Sequence, residues 1–156
     1  MKVVVAGYGP VGQAVGTALE QHQDVELYID DEAKGHKYTF ASELYGASVK
    51  TGVTPPDAVV VCVATPMGDD GSCFIGNVMD VFKKYGKGPR YLVKSTTAPN
   101  AFDHLGAYDI TFSPEYLRGT TGANPTQDFL NSEFAVYGGP SGRFWHELFA
   151  PVLPNM

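Results

Sequence analysis

Cysteine is scarce in this chain, which has only two among 156 residues. Cys62 and Cys73 are too few for a disulfide framework and do not have the spacing of a metal site, so we expect no bound metal. Cys62 lies inside the apolar run "VVVCVA", where a buried and unreactive thiol is expected. Cys73 lies in a predicted loop without a neighbouring base or cation, so we do not expect it to be a nucleophile.

Long apolar segments and clusters of positive charge are also lacking. No apolar run approaches the roughly 18 residues of a membrane helix, and the apolar start is too short for a signal peptide. Eleven Lys and Arg face 17 Asp and Glu, for a formal net charge of -6, whereas a nucleic-acid partner requires a basic face. The tightest basic group, Lys83, Lys84, Lys87 and Arg90, is typical of a solvated helix end. We expect a cytoplasmic protein that binds neither membrane nor nucleic acid.

The composition is that of a globular protein, with 44% hydrophobic and 18% charged residues. A chain of this length can bury roughly 70% of its unfolded surface in one core, so we expect one domain over residues 1–156. Short apolar runs rich in β-branched and aromatic residues are typical of parallel strands covered on both faces. These predicted strands span residues 2–7, 25–30, 57–64, 90–95, 108–113 and 133–138.

Helical patterns lie between several of the predicted strands. Apolar residues recur at helical spacing over residues 10–22, 74–85, 100–106 and 142–149. The alternation predicts an α/β fold with a doubly wound, mostly parallel sheet of the Rossmann type, in one three-layer domain. Residues 31–56 are polar, and we expect a loop there with a short helix at 41–46 and a weak strand at 47–51.

The stretch "GYGPVGQAVG", residues 7–16, follows the first predicted strand and opens the first predicted helix. In this context a G-x-G-x-x-G pattern indicates a dinucleotide-binding turn. The first glycine permits the tight turn, the second lets a pyrophosphate approach the backbone, and the third allows close packing of helix on strand. The helix N-terminus, with proline in its first turn, would attract the phosphates. The predicted cofactor-binding residues here are Gly7, Tyr8, Gly9, Pro10, Val11 and Gly12.

Asp30 ends the second predicted strand, 18 residues after Gly12. A carboxylate at this place would accept hydrogen bonds from the adenosine ribose hydroxyls, and its charge would repel a 2′-phosphate. The prediction is therefore NAD rather than NADP. The alternative is a tight glycine turn that binds nothing.

Three further stretches run from a strand end into a turn: "VVVCVATPMGDDG" (59–71), "YLVKSTTAPNAF" (91–102) and "ITFSPEYLRG" (110–119). In an open α/β sheet, ligands lie outside the carboxyl ends of the strands. Side chains at these three ends should therefore converge on the same crevice as the glycine turn. The residues expected there are Ala64, Thr65, Pro66, Ser95, Thr96, Pro114 and Glu115.

With the glycine turn, these stretches resemble the N-terminal domain of the UDP-glucose/GDP-mannose dehydrogenase family. The resemblance implies two NAD-dependent hydride transfers that take a sugar C6 alcohol to a carboxylate through a cysteine-bound thioester. It also implies that Thr96 orients a water, that Glu115 assists its attack, and that Thr65 and Pro66 line the nicotinamide side. The simpler alternatives are that Thr96 caps a following helix and that Glu115 is an exposed turn carboxylate.

Two departures from the family pattern concern catalysis. Gly119 stands where the family has a second loop glutamate, and the family's central helix, catalytic lysine, nucleophilic cysteine and C-terminal substrate domain would follow Met156. The resemblance therefore implies an NAD-binding domain, with a sugar nucleotide as second ligand, that is incomplete for catalysis alone. Such a domain is either a natural stand-alone half or one half of a split enzyme, with a separate chain supplying the missing half. The alternatives are a non-catalytic NAD- or nucleotide-sugar-binding module and an unrelated dehydrogenase of the 6-phosphogluconate or 3-hydroxyacyl type.

Overall fold

A computed structural model describes residues 1–40, 55–98, 100–115, 117, 124–153 and 155, with residues 36–40 described by their backbone. These residues form strands and helices that alternate along much of the chain. The strands are β1 (Lys2–Ala6), β2 (Glu26–Asp31), β3 (His36–Phe40), β4 (Ala58–Val61), β5 (Arg90–Val93) and β6 (Asp109–Phe112). The helices are α1 (Pro10–Leu19), α2 (Gly76–Tyr85), α3 (Pro125–Leu130) and α4 (Gly142–Phe149).

The strands form one sheet in the order β3-β2-β1-β4-β5-β6. Five of them are parallel, and β3 pairs antiparallel with β2 at one edge. The strand order reverses beside β1, which places a crevice outside the carboxyl ends of β1 and β4. The predicted Rossmann-type α/β domain is confirmed.

The core lies on both faces of the sheet because successive side chains of a strand point to opposite sides. Val3 and Val5 pack with α1 and α4 on one face, whereas Val4 and Ala6 pack with α2 on the other. All four are at most 1% exposed. The same alternation along β2 directs Ile29 toward the α1 face.

Several local predictions are wrong. The predicted strand at 133–138 contributes only an isolated bridge between Phe112 and Gly138, and Phe134 and Val136 are exposed rather than packed. The predicted helix at 100–106 is a single 3-10 turn, Asp103–Leu105. Helix α1 ends at Leu19 rather than at residue 22.

Two elements were not predicted. Strand β3 lies within the segment expected to be a loop, because a polar edge strand lacks the apolar pattern of an interior one. Helix α3 begins after Asn124, whose side chain accepts a hydrogen bond from the backbone N–H of Gln127. The helix and strand expected at 41–46 and 47–51 fall outside the described residues. No helix in the described part of the chain is long and apolar enough to cross a membrane.

Candidate functional site

A cleft of about 750 Å³ lies at the carboxyl ends of β1, β2, β4 and β5. Its walls combine the glycine turn, the end of β2, one side of α2 and the turns that follow β4 and β5. The predicted site residues that line it are Gly7, Gly9, Pro10, Val11, Asp30, Ala64, Thr65, Ser95, Thr96 and Glu115. Tyr8, Gly12 and Pro66 are not among the described lining residues.

The three glycines of the turn meet different steric requirements. Gly7 has φ +89°, and a Cβ there would lie 2.7 Å from the carbonyl oxygen of Cys62. A Cβ at Gly12 would lie 2.0 Å from the carbonyl oxygen of Gly7, so this glycine permits α1 to pack against the turn. A Cβ at Gly9 would meet no atom within 4 Å. Gly9 therefore leaves open space beside the cleft instead of relieving a contact within the fold.

Helix α1 begins directly at this open space. Gly9 is its N-cap residue, Pro10 is in its first turn, and no side chain caps it. The first N–H groups of a helix lack partners within the helix and lie at the positive end of its dipole. This end of α1 can therefore receive an anionic group that approaches over Gly9.

Asp31 and Lys34 connect the glycine turn to the end of β2. The Asp31 carboxylate accepts hydrogen bonds from the backbone N–H groups of Tyr8, at 2.7 Å, and of Lys34, at 3.2 Å. The Lys34 ammonium donates to the carbonyl oxygen of Tyr8 at 2.5 Å. Both residues line the cleft and were missed by the sequence analysis, although the position of Asp31 next to Asp30 was a usable signal.

Asp30 lies on the α2 side of the sheet and is only 7% exposed. The Lys84 ammonium lies 2.9 Å from both of its carboxylate oxygens, and the Tyr85 hydroxyl donates to one of them at 2.5 Å. The backbone carbonyl of Asp30 accepts a 2.9 Å hydrogen bond from the N–H of Gly7. The carboxylate proposed for the ribose is thus held between the glycine turn and α2.

Lys84 corrects the prediction that its basic group is a solvated helix end. Its side chain is 31% exposed, lines the cleft and also reaches Glu32 at 3.4 Å. Partial burial by itself lowers the pKa of Lys84, but the hydrogen bonds and charges of Asp30 and Glu32 outweigh it, so the pKa is raised above its ordinary value. Lys84 therefore carries a positive charge at neutral pH.

A second ion pair lies near the strand ends of β5 and β6. Lys94 is 8% exposed, and its ammonium lies 3.2 Å from a Glu115 carboxylate oxygen. The same ammonium lies 3.4 Å from the Ser113 hydroxyl and 5.4 Å from the centre of the Phe129 ring. Lys94 and Glu115 line both the main cleft and a smaller cavity of about 320 Å³. Lys94 stands in the "YLVKSTTAPNAF" stretch but is not one of the predicted site residues.

The two simpler alternatives for Thr96 and Glu115 are wrong. The Glu115 side chain is only 14% exposed, so it is not an exposed turn carboxylate. Thr96 is exposed and lines the cleft, and the next helical turn has Phe102, not Thr96, at its N-cap. Ser95, by contrast, is buried and donates its hydroxyl to the Val63 carbonyl at 2.7 Å.

The two prolines expected at the crevice lie beside it. The Pro66 carbonyl accepts a 2.8 Å hydrogen bond from the N–H of Phe74, closing a small loop bridged by Met67 and Cys73. Pro114 lines the smaller cavity. The loop position 119, where the sequence departs from the family pattern, falls outside the described residues.

The two cysteines occupy different surroundings. Cys62 follows β4 and lines the cleft, and it is half-buried rather than buried as the sequence predicts. Desolvation still raises the pKa of its thiol to about 12, with smaller opposing effects of Lys94 and Glu115. A thiol with this pKa is protonated at neutral pH and is a poor nucleophile. Cys73 is exposed in the loop that follows Pro66. Among the described residues, no group of three or more His, Cys, Asp or Glu side chains is arranged to hold a metal ion.

The chain is similar to known proteins in structure but not in sequence. No family of known proteins and no curated protein matches the sequence. A UDP-glucose dehydrogenase from the hyperthermophilic archaeon Pyrobaculum islandicum aligns over 97% of the chain, with TM-score 0.68 and 23% identity. A GDP-mannose dehydrogenase from Pseudomonas aeruginosa, solved as a ternary complex, aligns over 97%, with TM-score 0.70 and 16% identity.

A reductive aminase from Aspergillus terreus, solved with NADPH4, cyclohexanone and allyl amine, aligns over 97% of the chain with TM-score 0.60 and 15% identity. The chain spans 44% of the length of each of the two sugar-nucleotide dehydrogenases and 52% of the aminase. At these identities the likeness establishes the fold. The chain therefore has the Rossmann-type fold found in these three oxidoreductases.

Proposed function

We propose that the chain binds NAD in the main cleft and serves as the cofactor-binding part of an oxidoreductase that acts on a sugar nucleotide. The observation that carries the proposal is Gly9. It is the one glycine of the G-x-G-x-x-G pattern whose missing Cβ relieves no contact within the described residues, and it faces the cleft at the N-terminus of α1. A glycine turn that only reversed the chain would have no need of this open space.

In the proposed complex, the pyrophosphate lies over Gly9 against the first N–H groups of α1. The adenosine ribose reaches the end of β2, where Asp30 accepts hydrogen bonds from its hydroxyls. Asp31 holds the glycine turn through the N–H of Tyr8 and adds a second negative charge to this end of the cleft. The carboxylates favour a free 2′-hydroxyl over a 2′-phosphate, which supports NAD.

The nicotinamide then lies toward the strand ends of β4 and β5, beside Ala64, Thr65 and Thr96. When bound, the cofactor supplies hydride transfer at a carbon of the substrate. In the proposed complex, the exposed hydroxyl of Thr96 holds a water in this part of the cleft. The Glu115 carboxylate, oriented by Lys94 at 3.2 Å, accepts a proton from that water. This division of roles follows the resemblance in the sequence motifs.

Neither cysteine of the chain provides the thiol nucleophile that the oxidation of an aldehyde to a carboxylate through a thioester would require. The thiol of Cys62 is protonated at neutral pH, and Cys73 lies outside the cleft lining. We therefore propose that residues 1–156 bind the cofactor without completing the oxidation, and that the substrate-binding half is supplied from outside these residues. Incubation with NAD and UDP-glucose or GDP-mannose should leave the absorbance of reduced cofactor unchanged. Turnover by the chain alone would contradict this part of the proposal.

Cofactor binding is tested by the substitution Gly9→Val. A side chain at this position fills the space required by the pyrophosphate, so titration with NADH, followed by nicotinamide fluorescence, should show an affinity lower by about tenfold or more. The control is Gly88→Val, because a Cβ at Gly88 also meets nothing within 4 Å and Gly88 does not line the cleft. Both variants should unfold at about the native temperature. Equal NADH affinity of Gly9→Val and the native chain would overturn the proposal.

A further inference from the structure

The charges at the β2 end of the cleft do not have a single sign. Asp30, Asp31 and Glu32 contribute three carboxylates, and Lys34 and Lys84 contribute two ammonium groups, so three negative and two positive charges leave one net negative charge. All five residues line the cleft. We call this set the β2 corner. A site that only excluded the 2′-phosphate of a dinucleotide would not require two cationic side chains.

The two lysines of the β2 corner have different roles. Lys34 belongs to the frame of the glycine turn, because its ammonium donates to the Tyr8 carbonyl and its backbone N–H donates to Asp31. Lys84 comes from α2, on the far side of the cleft, and places its charge directly on Asp30, the carboxylate proposed to bind the ribose. The charge of Lys84 is therefore the one that acts where a 2′-hydroxyl or a 2′-phosphate would lie.

We propose that Lys84 determines how strongly the cleft distinguishes a 2′-phosphate from a 2′-hydroxyl on the adenosine ribose. Its ammonium offsets the charge of Asp30 and attracts the phosphate, so the chain takes NADPH as well as NADH, with a preference smaller than three carboxylates alone would impose. The inference rests on the proposed binding of a nicotinamide dinucleotide in this cleft. It changes the expected specificity from exclusion of the phosphorylated cofactor to a graded preference.

The geometry supports an electrostatic role for Lys84 beyond holding the helix. Tyr85 already anchors Asp30 to α2 through a 2.5 Å hydrogen bond, so the carboxylate keeps one contact with the helix without Lys84. The Lys84 side chain is also 31% exposed and lines the cleft, so its charge acts on the space that a ligand would occupy. Its other contact, with Glu32 at 3.4 Å, involves a carboxylate whose side chain is 67% exposed, so that this contact is screened by solvent.

The test compares NADH and NADPH affinities of the native chain and of Lys84→Gln, measured by fluorescence titration. A unit charge removed from beside a phosphate at a partly exposed site corresponds to about a tenfold loss of affinity, which we expect for NADPH, with less than about a threefold change for NADH. Lys83→Gln is the matched control. Lys83 is the neighbour of Lys84 on α2 and is not a lining residue of the cleft. Its partner Asp80 does line the cleft, but both side chains of this pair are more than 70% exposed and screened by solvent. Lys83→Gln should leave both affinities unchanged.

Two further variants separate charge from packing. Lys84→Arg keeps the charge and should retain the native ratio of the two affinities. Asp30→Asn removes the repelling charge and should strengthen NADPH binding, and adding Lys84→Gln to Asp30→Asn should cancel that gain. In the native chain, the NADPH affinity should lie within about tenfold of the NADH affinity.

Each other outcome is decisive. Equal losses for both cofactors in Lys84→Gln, or the same change of ratio in Lys83→Gln, would overturn the role of Lys84 while leaving cofactor binding intact. A native preference for NADH of a thousandfold or more would do so even if Lys84→Gln did not fold. Failure of the native chain to bind either cofactor would instead overturn the proposed function on which the inference rests.

Discussion

Two lysine–carboxylate pairs line the cleft, and they differ in how far solvent and ligand can reach them. In the interior pair, Lys94 and Glu115 have side chains that are 7% and 14% exposed, and Phe129 and Ser113 surround the ammonium. In the edge pair, Asp30 is 6% exposed but Lys84 is 31% exposed and shared with Glu32. A lysine–carboxylate pair is thus part of the core at Lys94 and Glu115, and part of the ligand-facing surface of the cleft at Lys84 and Asp30.

The difference in burial indicates which pair can affect ligand specificity and which pair stabilises the fold. Removing one partner of a buried pair leaves an uncompensated charge in a poorly solvated place, whereas a partly exposed pair is screened by water. A ligand that approaches the edge pair can therefore exchange one partner for another at small cost. The interior pair must stay together, so it fixes the position of Glu115 for any chemistry in the cleft.

The largest effect is expected at the two cysteines, because desolvation suppresses the ionisation of Cys62, which lies near the interior pair. Burial raises the pKa of the Cys62 thiol from 9.0 to about 12, which corresponds to about a thousandfold less thiolate at neutral pH. Cys73 is exposed. Iodoacetamide at pH 8 should therefore alkylate Cys73 and leave Cys62 unmodified, as read by mass spectrometry of peptides.

The control is the same reaction in urea, where both cysteines should be alkylated because the unfolded chain exposes them. Alkylation of Cys62 in the native chain at a rate near that of Cys73 would show that water reaches the part of the cleft beside the interior pair. The contrast between the two pairs would then be lost.

The next largest effect is expected from Lys94→Met. This change removes the Lys94 cation beside a largely buried Glu115 carboxylate, which should lower the free energy of unfolding by about 2–3 kcal/mol, as measured by urea denaturation. The double change Lys94→Met with Glu115→Gln removes both charges and should recover the stability to within about 1 kcal/mol. A single variant as stable as the native chain would mean that the pair is solvated like the edge pair.

The sequence allowed the fold and the glycine turn to be predicted because both depend on local patterns. The apolar runs predicted five strand positions, and the spacing of Gly7, Gly9 and Gly12 predicted the turn before α1. The polar edge strand β3 and the short helix α3 lack such patterns and were missed. The strand predicted at 133–138 failed because a favourable residue composition does not supply a pairing partner.

The two ion pairs show why part of the site could not be predicted. Lys94 follows β5 and Glu115 lies beyond the end of β6, and the register that pairs Val93 with Phe112 brings these neighbouring strand ends together. With the strand order assumed, the contact between Lys94 and Glu115 could have been predicted from the sequence. Lys84 is 54 residues from Asp30 and reaches it only because α2 packs across the strand ends in one particular rotation. No local sequence pattern predicts this rotation of α2 about its axis.

The smallest effect concerns the edge pair and its response to pH. Lys84→Gln should lower the free energy of unfolding by about 1 kcal/mol at pH 7, because Lys84 itself is partly solvated and Tyr85 still donates to the buried Asp30 carboxylate. The pKa of Lys84 is raised in the folded chain above its ordinary value of 10.5, so folding favours the protonated amine. The stabilisation is therefore complete below pH 10.5 and is lost as the pH rises through the higher folded-state pKa.

The difference in unfolding free energy between the native chain and Lys84→Gln should stay constant from pH 7 to about 9.5 and shrink at more alkaline pH. Lys83→Gln, which removes an exposed pair with Asp80, should change stability by less at every pH. A difference that declined between pH 7 and 9 would show that Lys84 loses its proton far too early for Asp30 and Glu32 to be its main partners.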